Sequence, residues 1–411
     1  KRAGVLRELT EHGFDYVDLE LRNDKDLLKE LRNRKGRPKT IASAHSRRPM
    51  SREVIEATLA EACSLGDIGK VAMICEHAGH AIMLAQIGMK FTRLGEKHVL
   101  IGMGDQGQLT RVCAKQMGSR MEYACLEGRQ AAPGQLDLAT QRALGDENRA
   151  ILGLIGHPVS HSVSKPMQEA ALRRARLPGI YLPLDIPPGW FEAQTLETLS
   201  SLGFSGVNVT IPHKREALRY CSRKSASATA TGAANTIKFE RGHVIGENTD
   251  TFGFSKLIEG KMRIGAGSNA LLIGAGGAAR AAAHVLASEN SKITIAARRL
   301  SQAREVADAF EAEAVTLNSL ESSDRWYDLI VNCTPLGMAG KPARSPVPPR
   351  LINEKAVLID LVYNPPLTAM MRAAMKKGAR AYGGLEMLVQ QGAKSFQIWT
   401  GKRPDLDAMR K

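Results

Sequence analysis

Along residues 12–145, short β-rich apolar runs alternate with longer segments whose apolar positions recur at helical spacing. The runs Phe14–Leu21, Lys39–Ala44, Lys70–Ile74, His98–Met103 and Arg120–Leu126 read as strands. Ser51–Leu65 and Leu109–Met117 read as helices between them. Strands separated by helices imply parallel βαβ units. A succession of such units without a dinucleotide fingerprint points to a (β/α)8 barrel, of which about five strands fall in this stretch.

The polar stretch after residue 144 opens a second pattern. Ile151–Ile155, Ile180–Asp185 and Gly206–Thr210 are predicted strands, and Ser164–Arg174 a helix. Residues 270–300 read as strand, Gly-rich turn, helix and strand. Val357–Val362 follows as a strand and Glu386–Thr400 as a closing helix. The class is therefore α/β. A partial barrel over 1–146 is expected first, followed by a second α/β region that contains a Rossmann-like turn.

Composition changes little in this picture. Hydrophobic residues make up 43% and charged residues 24%, which excludes a disordered, collagenous or disulfide-stapled chain. No stretch reaches the ~18 uncharged apolar residues of a membrane span, so no membrane partner is expected. The net charge of +15 is spread along the chain, and its densest run, Lys29–Lys39, lacks aromatic residues. That run reads as a solvated face, which argues against nucleic acid and for anionic small molecules. The six cysteines are far apart and form no C-x-x-C, so a reducing compartment is expected: cytoplasm, or alternatively plastid stroma. His77 and His80 form an H-x-x-H without a third ligand nearby, and no metal is expected.

Chemistry enters first at Ala270-Leu-Leu-Ile-Gly-Ala-Gly-Gly-Ala-Ala-Arg280. Gly274, Ala275, Gly276, Gly277 and Ala278 form a turn between a buried-type strand and an Ala-rich helix. There the missing side chains let backbone approach a pyrophosphate. The next predicted strand ends not in an acidic residue but in Arg298 and Arg299, which suit a 2′-phosphate and favour NADP over NAD.

Five further segments carry a family resemblance. They are Gly156-His-Pro-Val-Ser-His-Ser-Val-Ser164, Asn208-Val-Thr-Ile-Pro-His-Lys214, Gly232-Ala-Ala-Asn235, Gly246-Glu-Asn-Thr-Asp250 and Gly384-Leu-Glu-Met-Leu-Val-Gln-Gln391. In this order, residues 150–405 resemble shikimate dehydrogenase, and the resemblance implies a substrate-binding domain over 147–253, completed by 384–411, and a Rossmann-like NADP domain over 254–383. Ketone reduction needs a proton donor at the developing alkoxide, and a paired Lys and Asp can share that proton. The resemblance implies that Lys214 and Asp250 are this pair, without deciding which moves the proton. It further implies that Ser162 and Ser164 grip the substrate carboxylate, that Thr210, Asn235, Gln391 and Tyr363 bind the ring hydroxyls, and that Thr334 in Asn332-Cys-Thr-Pro-Leu-Gly337 lies by the nicotinamide. The chain departs from the family pattern at Lys165 before Pro166, at Gln168-Glu169 in place of His-Asn, and at Gln302 in place of an Arg.

Residues 12–141 resemble the latter part of a type I 3-dehydroquinate dehydratase. The resemblance lies in Tyr16-Val-Asp-Leu-Glu-Leu21, Ile41-Ala-Ser-Ala-His45, Gly69-Lys-Val-Ala-Met73, Leu109-Thr-Arg111 and Ala132-Pro-Gly-Gln135. Lys70 opens a buried-type strand, where a desolvated amine suits Schiff-base formation with a ketone. His45, near a strand end, suits proton removal from the adjacent carbon. Arg111 and Gln135 are then expected on the substrate carboxylate and a hydroxyl. Ala131 replaces the family serine. The chain opens on Lys1 within helix-like sequence, so the first three barrel strands are expected upstream.

The expected substrates are 3-dehydroquinate, 3-dehydroshikimate and shikimate, with NADP as cofactor, and a homo-oligomer is left open. The alternative is a quinate/shikimate dehydrogenase with a non-catalytic N-terminal scaffold.

Overall fold

The computed structural model describes residues 2–145 and 148–411, so the expected boundary at 146–147 lies outside the described residues. Two compact units emerge. One takes residues up to Lys165 with Leu177–His213, and the other Pro166–Arg176 with Lys214–Lys411.

In the first unit, β1 (Tyr16–Glu20), β2 (Lys39–Ser46), β3 (Ile68–Ile74) and β4 (His98–Met103) form a parallel sheet in chain order. Alternation sorts their side chains. Leu19, Leu21 and Ala42 pack on Leu27, Leu28 and Leu31 of the helix Lys25–Arg32. Ile41, Ile68 and Val99 pack with Ile101, Met121 and Tyr123 on the other face.

Two expectations change here. Arg120–Leu126 is not a fifth strand; its ladder pairing is limited to isolated bridges from Ser119 to His98 and from Cys125 to Asp137. The carbonyl of Tyr123, which a ladder would use, accepts instead from Arg111 Nη1 at 3.3 Å and Gln135 Nε2 at 3.1 Å. The helix expected over Leu109–Met117 spans only Gln108–Val112.

The same unit holds β5 (Ala150–Gly156), flanked in parallel by β6 (Gly179–Asp185) and β7 (Phe204–Val209). Every residue of β5 is buried, as befits a strand covered on both faces. The helix Ala78–Arg93 packs against the helix Ala193–Ser201, where Gln86 Nε2 donates to Thr198 Oγ1 at 3.0 Å.

In the second unit, β8 (Arg223–Lys224) runs parallel to β10 (His243–Glu247), which forms a hairpin with β9 (Thr236–Glu240). Its two-residue turn has positive φ at both Arg241 (49°) and Gly242 (77°), as a twisted hairpin demands. The larger sheet contains β11 (Asn269–Ile273), β12 (Lys292–Ala297), β13 (Glu313–Thr316), β14 (Leu329–Asn332), β15 (Val357–Asp360) and β16 (Arg380–Gly383). All are parallel, in the order β13-β12-β11-β14-β15-β16. This is the doubly wound order of dinucleotide-binding sheets, with one core on each face.

Candidate active sites

Lys214 begins the helix Lys214–Tyr220, and Asp250 is the second residue of the helix Thr249–Ile258. Lys214 Nζ donates to Asp250 Oδ2 at 2.6 Å, with side chains only 19% and 10% exposed. At such burial the pair is far less screened than a surface salt bridge. Asn235 Nδ2 donates to the other carboxylate oxygen, Asp250 Oδ1, at 2.8 Å, while Asn235 Oδ1 accepts from the Thr249 amide at 2.7 Å. The carboxylate therefore meets a cation, an amide and a helix N-terminus, each offering a positive end.

Beneath it, Thr249, Thr236 and Ser395 share hydroxyl contacts of 2.8–3.1 Å. Gln391, on the helix Leu385–Thr400, reaches this cluster, and its Nε2 is turned to the Leu388 carbonyl. Gly253 lets the two helices approach, since a Cβ there would stand 2.7 Å from the Met387 carbonyl oxygen. Tyr363 follows β15, half-buried, and burial pushes its phenol up.

At the end of β11 the backbone turns through Gly274 at φ +109°, where a Cβ would stand 3.0 Å from Thr334 Cγ2. Glycine is required there twice, by conformation and by space. A Cβ on Gly276 would meet nothing within 4 Å, so the turn stays open toward the N-terminus of the helix Gly277–Ser288. Ala275 and Ala278 complete the turn. Arg298 and Arg299 are exposed just past β12, and neither guanidinium has an intramolecular partner among the described residues. An open turn at a helix N-terminus with two uncommitted guanidiniums at the next strand tip fits a dinucleotide carrying a 2′-phosphate.

Thr334 sits beside this turn, but its hydroxyl donates to Asn332 Oδ1 at 2.7 Å and accepts from the Leu336 amide. Asn332 is fully buried and donates to the equally buried Asp360, which also accepts from Thr368 Oγ1 at 2.6 Å. Burial pushes the Asp360 carboxyl up against these donors. Thr334 thus shapes the loop.

In the first unit, Ser162 and Ser164 lie on the loop leaving β5. Ser162 Oγ accepts from the Ser164 amide at 3.2 Å, and Ser164 opens the helix Ser164–Arg174. Nearby on β6, the Tyr181 hydroxyl donates to Asn208 Oδ1 at 2.9 Å. Thr210 follows β7, and a Cβ on Gly156 would collide with its methyl at 2.3 Å. Gln168, where the family pattern differs, lies in the second unit with Gly392; it is fully buried and donates to the Gly392 carbonyl at 3.0 Å.

Lys70 is the third residue of β3 rather than its first, and its side chain is 8% exposed. Its Nζ donates to Asp18 Oδ2 at 2.8 Å and lies 4.7 Å from the centre of the Tyr123 ring. Asp18 Oδ1 accepts from Ser43 Oγ at 2.5 Å. His45 Nδ1 lies 2.6 Å from Glu20 Oε1. Register explains the grouping: Glu20 pairs with Ser43, and Ser43 with Lys70, so Asp18, Glu20, Ser43, His45 and Lys70 share one face. Asp18 and Glu20 were not singled out as partners from sequence, although their period-2 spacing in Tyr16–Glu20 was a usable signal.

Arg111 is 7% exposed, its Nε has no partner, and burial lowers its pKa. Gln135 is committed to its own loop, donating to the Tyr123 carbonyl and accepting from the Ala131 amide at 3.0 Å.

A doubly wound parallel sheet with an open Gly-rich turn and a buried Lys–Asp pair defines a nicotinamide-linked oxidoreductase, preceded here by parallel βαβ units bearing a buried lysine. Comparison with known proteins agrees. Residues 1–145 match the family model of type I 3-dehydroquinase. Residues 154–237 match the shikimate dehydrogenase substrate binding domain, 257–339 shikimate / quinate 5-dehydrogenase, and 384–411 the shikimate 5'-dehydrogenase C-terminal domain. A shikimate dehydrogenase (NADP(+)) of Dehalococcoides mccartyi strain CBDB1 is 39% identical over 270 residues, 64% of this chain and 94% of that protein. That of Methanothermobacter thermautotrophicus is 40% identical over 267 residues, 63% and 94% of the two chains.

Among solved structures, shikimate 5-dehydrogenase from Thermus thermophilus in complex with NADP(H) and shikimate superposes with a TM-score of 0.58. It is 35% identical and covers 64% of this chain and 97% of its own. Quinate dehydrogenase from Corynebacterium glutamicum in complex with NAD gives 0.59 at 28% identity, covering 64% and 98%. The chain belongs to the shikimate dehydrogenase family, and its N-terminal part is a type I 3-dehydroquinase segment.

Proposed function

We propose that this chain carries two consecutive steps of the shikimate pathway: dehydration of 3-dehydroquinate on the N-terminal segment, and NADP-linked interconversion of 3-dehydroshikimate and shikimate on the remainder. The observation that carries the reductase assignment is the Lys214–Asp250 contact of 2.6 Å, buried and braced by Asn235. When bound, NADP supplies or takes up the two electrons. Gly274, Ala275, Gly276, Gly277 and Ala278 receive its pyrophosphate, Arg298 and Arg299 its 2′-phosphate, and Thr334 shapes the loop beside the turn. Lys214 and Asp250 hold the proton exchanged at the substrate oxygen. Ser162 and Ser164 take the substrate carboxylate, and Thr210, Asn235, Gln391 and Tyr363 its hydroxyls.

For the dehydratase step, the buried Lys70 amine condenses with the substrate ketone, releasing water. His45 then takes the proton from the neighbouring carbon and returns it to the departing hydroxyl, and a water hydrolyses the imine, freeing the enone product and the Lys70 amine. Arg111 holds the carboxylate, and Gln135 acts by fixing its loop. The assignment divides the chain at 146/147, 253/254 and 383/384. Six free cysteines support a reducing compartment, the cytoplasm or alternatively a plastid stroma.

The test supplies 3-dehydroquinate alone and follows the ultraviolet absorbance of the conjugated enone product. A signal that disappears in Lys70→Ala supports the dehydratase. No signal, with shikimate and NADP still turning over, leaves the N-terminal segment as a scaffold. Quinate with NAD turning over as fast as shikimate with NADP would favour the quinate-linked alternative, whose family also yields a structural neighbour.

A further inference from the structure

The loop that bears Ser162 and Ser164 is held from outside the reductase sequence. Asp185 ends β6, the edge strand beside β5, where outward amides have no strand to pair with. The Asp185 amide instead donates to Gln106 Oε1 at 3.0 Å. Gln106 belongs to the turn Asp105–Gly107, between β4 and the helix that carries Arg111 in the 3-dehydroquinase segment.

From Asp185 the bonding continues into the serine loop. Asp185 Oδ1 lies 2.6 Å from His157 Nδ1, and Oδ2 accepts from the Val159 amide at 3.4 Å. The Val159 carbonyl accepts from the Ser162 amide at 3.1 Å, and Ser162 Oγ from the Ser164 amide. Each bond either fixes the end of β6 or fixes the loop to it, so the amide group of Gln106 is the outermost anchor of a continuous chain ending at both serines.

We propose that Gln106 is a positioning residue for the reductase: the 3-dehydroquinase segment sets the placement of the loop that grips the shikimate carboxylate. The proposal rests on reading Ser162 and Ser164 as carboxylate ligands. A bound carboxylate needs both hydroxyls at fixed positions, and a displaced loop lowers affinity for substrate while leaving the cofactor turn and the Lys214–Asp250 pair as they are. The consequence is a dependence of shikimate binding on a residue that belongs to the other activity.

The test uses the full chain with steady-state kinetics of shikimate oxidation by NADP. Gln106→Met keeps the volume and removes the acceptor; it is expected to raise KM for shikimate about three- to tenfold, with kcat and KM for NADP within about twofold of the parent. Gln106→Glu retains an acceptor and is expected to restore the parent KM. Gln86→Ala removes a different side-chain bond between the same segments, to Thr198, and is expected to leave KM for shikimate unchanged.

The proposal is overturned if Gln106→Met leaves KM for shikimate unmoved, if KM for NADP rises equally, if Gln106→Glu behaves like Gln106→Met, or if Gln86→Ala has the same effect. Ser164→Ala measured alongside separates the two levels. Should it raise KM while Gln106→Met does not, only the positioning role fails. Should it too leave KM unchanged, the carboxylate assignment fails and takes the positioning role with it.

Discussion

Gly277 stands so close to Lys214 that a Cβ on the glycine would lie 3.2 Å from the lysine Cδ. The first residue of the helix Gly277–Ser288 thus packs against the stem of the side chain paired with Asp250. A methyl group there must push the lysine stem aside. Gly277→Ala is expected to lower kcat about three- to tenfold with little change in KM for shikimate, because misplacing a reacting group costs rate more than binding. Equal kcat values would show that the stem yields freely.

The Asp250 carboxylate is held by two side chains, Lys214 and Asn235, so replacing its charge without its shape isolates its chemistry. Asp250→Asn is expected to reduce kcat by about 10²–10⁴-fold, the usual worth of a proton-transfer group. The melting temperature should stay near the parent value. A loss of fold with the same substitution would move Asp250 from chemistry to architecture.

Arg298 and Arg299 present two guanidiniums without internal partners among the described residues at the tip of β12. Arg298→Ser with Arg299→Ser is expected to raise KM for NADP about ten- to a hundredfold, consistent with losing charge-assisted bonds of ~1.5–3 kcal/mol. KM for NAD, which lacks the 2′-phosphate, should hardly move. A parallel rise for both cofactors would point to damage of the turn instead.

His77 and His80 stack at 3.9 Å, each against the edge or face of Trp190, and neither Nδ1 has a partner. Burial, with the neighbouring His80 second, pushes His77 down from 6.5 to about 4, while Asp185 opposes and His157 reinforces the shift. Burial lowers His80 as well, against the pull of Glu76. The unfolded chain therefore binds more protons than the folded one between these values, so folding stability falls as pH drops from about 6.5 to about 4. Thermal melts across that window should show it, and His77→Gln should flatten the profile. A melt insensitive to pH in the parent would contradict the burial argument.

Much of this was legible in sequence because it is local. The helix Ser164–Arg174 begins and ends where its periodicity placed it, and β11, its Gly-rich turn and the following helix lie where the apolar run and glycines indicated. The pairing of Lys214 with Asp250 was readable only through family resemblance, since 36 residues separate them. Arg120–Leu126 misled because its alternation is real but its carbonyls are claimed by side chains from elsewhere.

By itself, then, the sequence determined the α/β class, the Gly-rich turn with two arginines at the next strand tip, and the residue types able to move protons. Those follow from backbone stereochemistry and side-chain period, which act over a few residues. Tertiary structure alone decided that Asp18 answers Lys70, that Glu20 answers His45, that Gln168 takes a buried place against Gly392, and that Gln106 anchors the end of β6. Each of these depends on which faces meet across strands or segments. Burial there obliges every polar group to find a partner that local sequence does not specify.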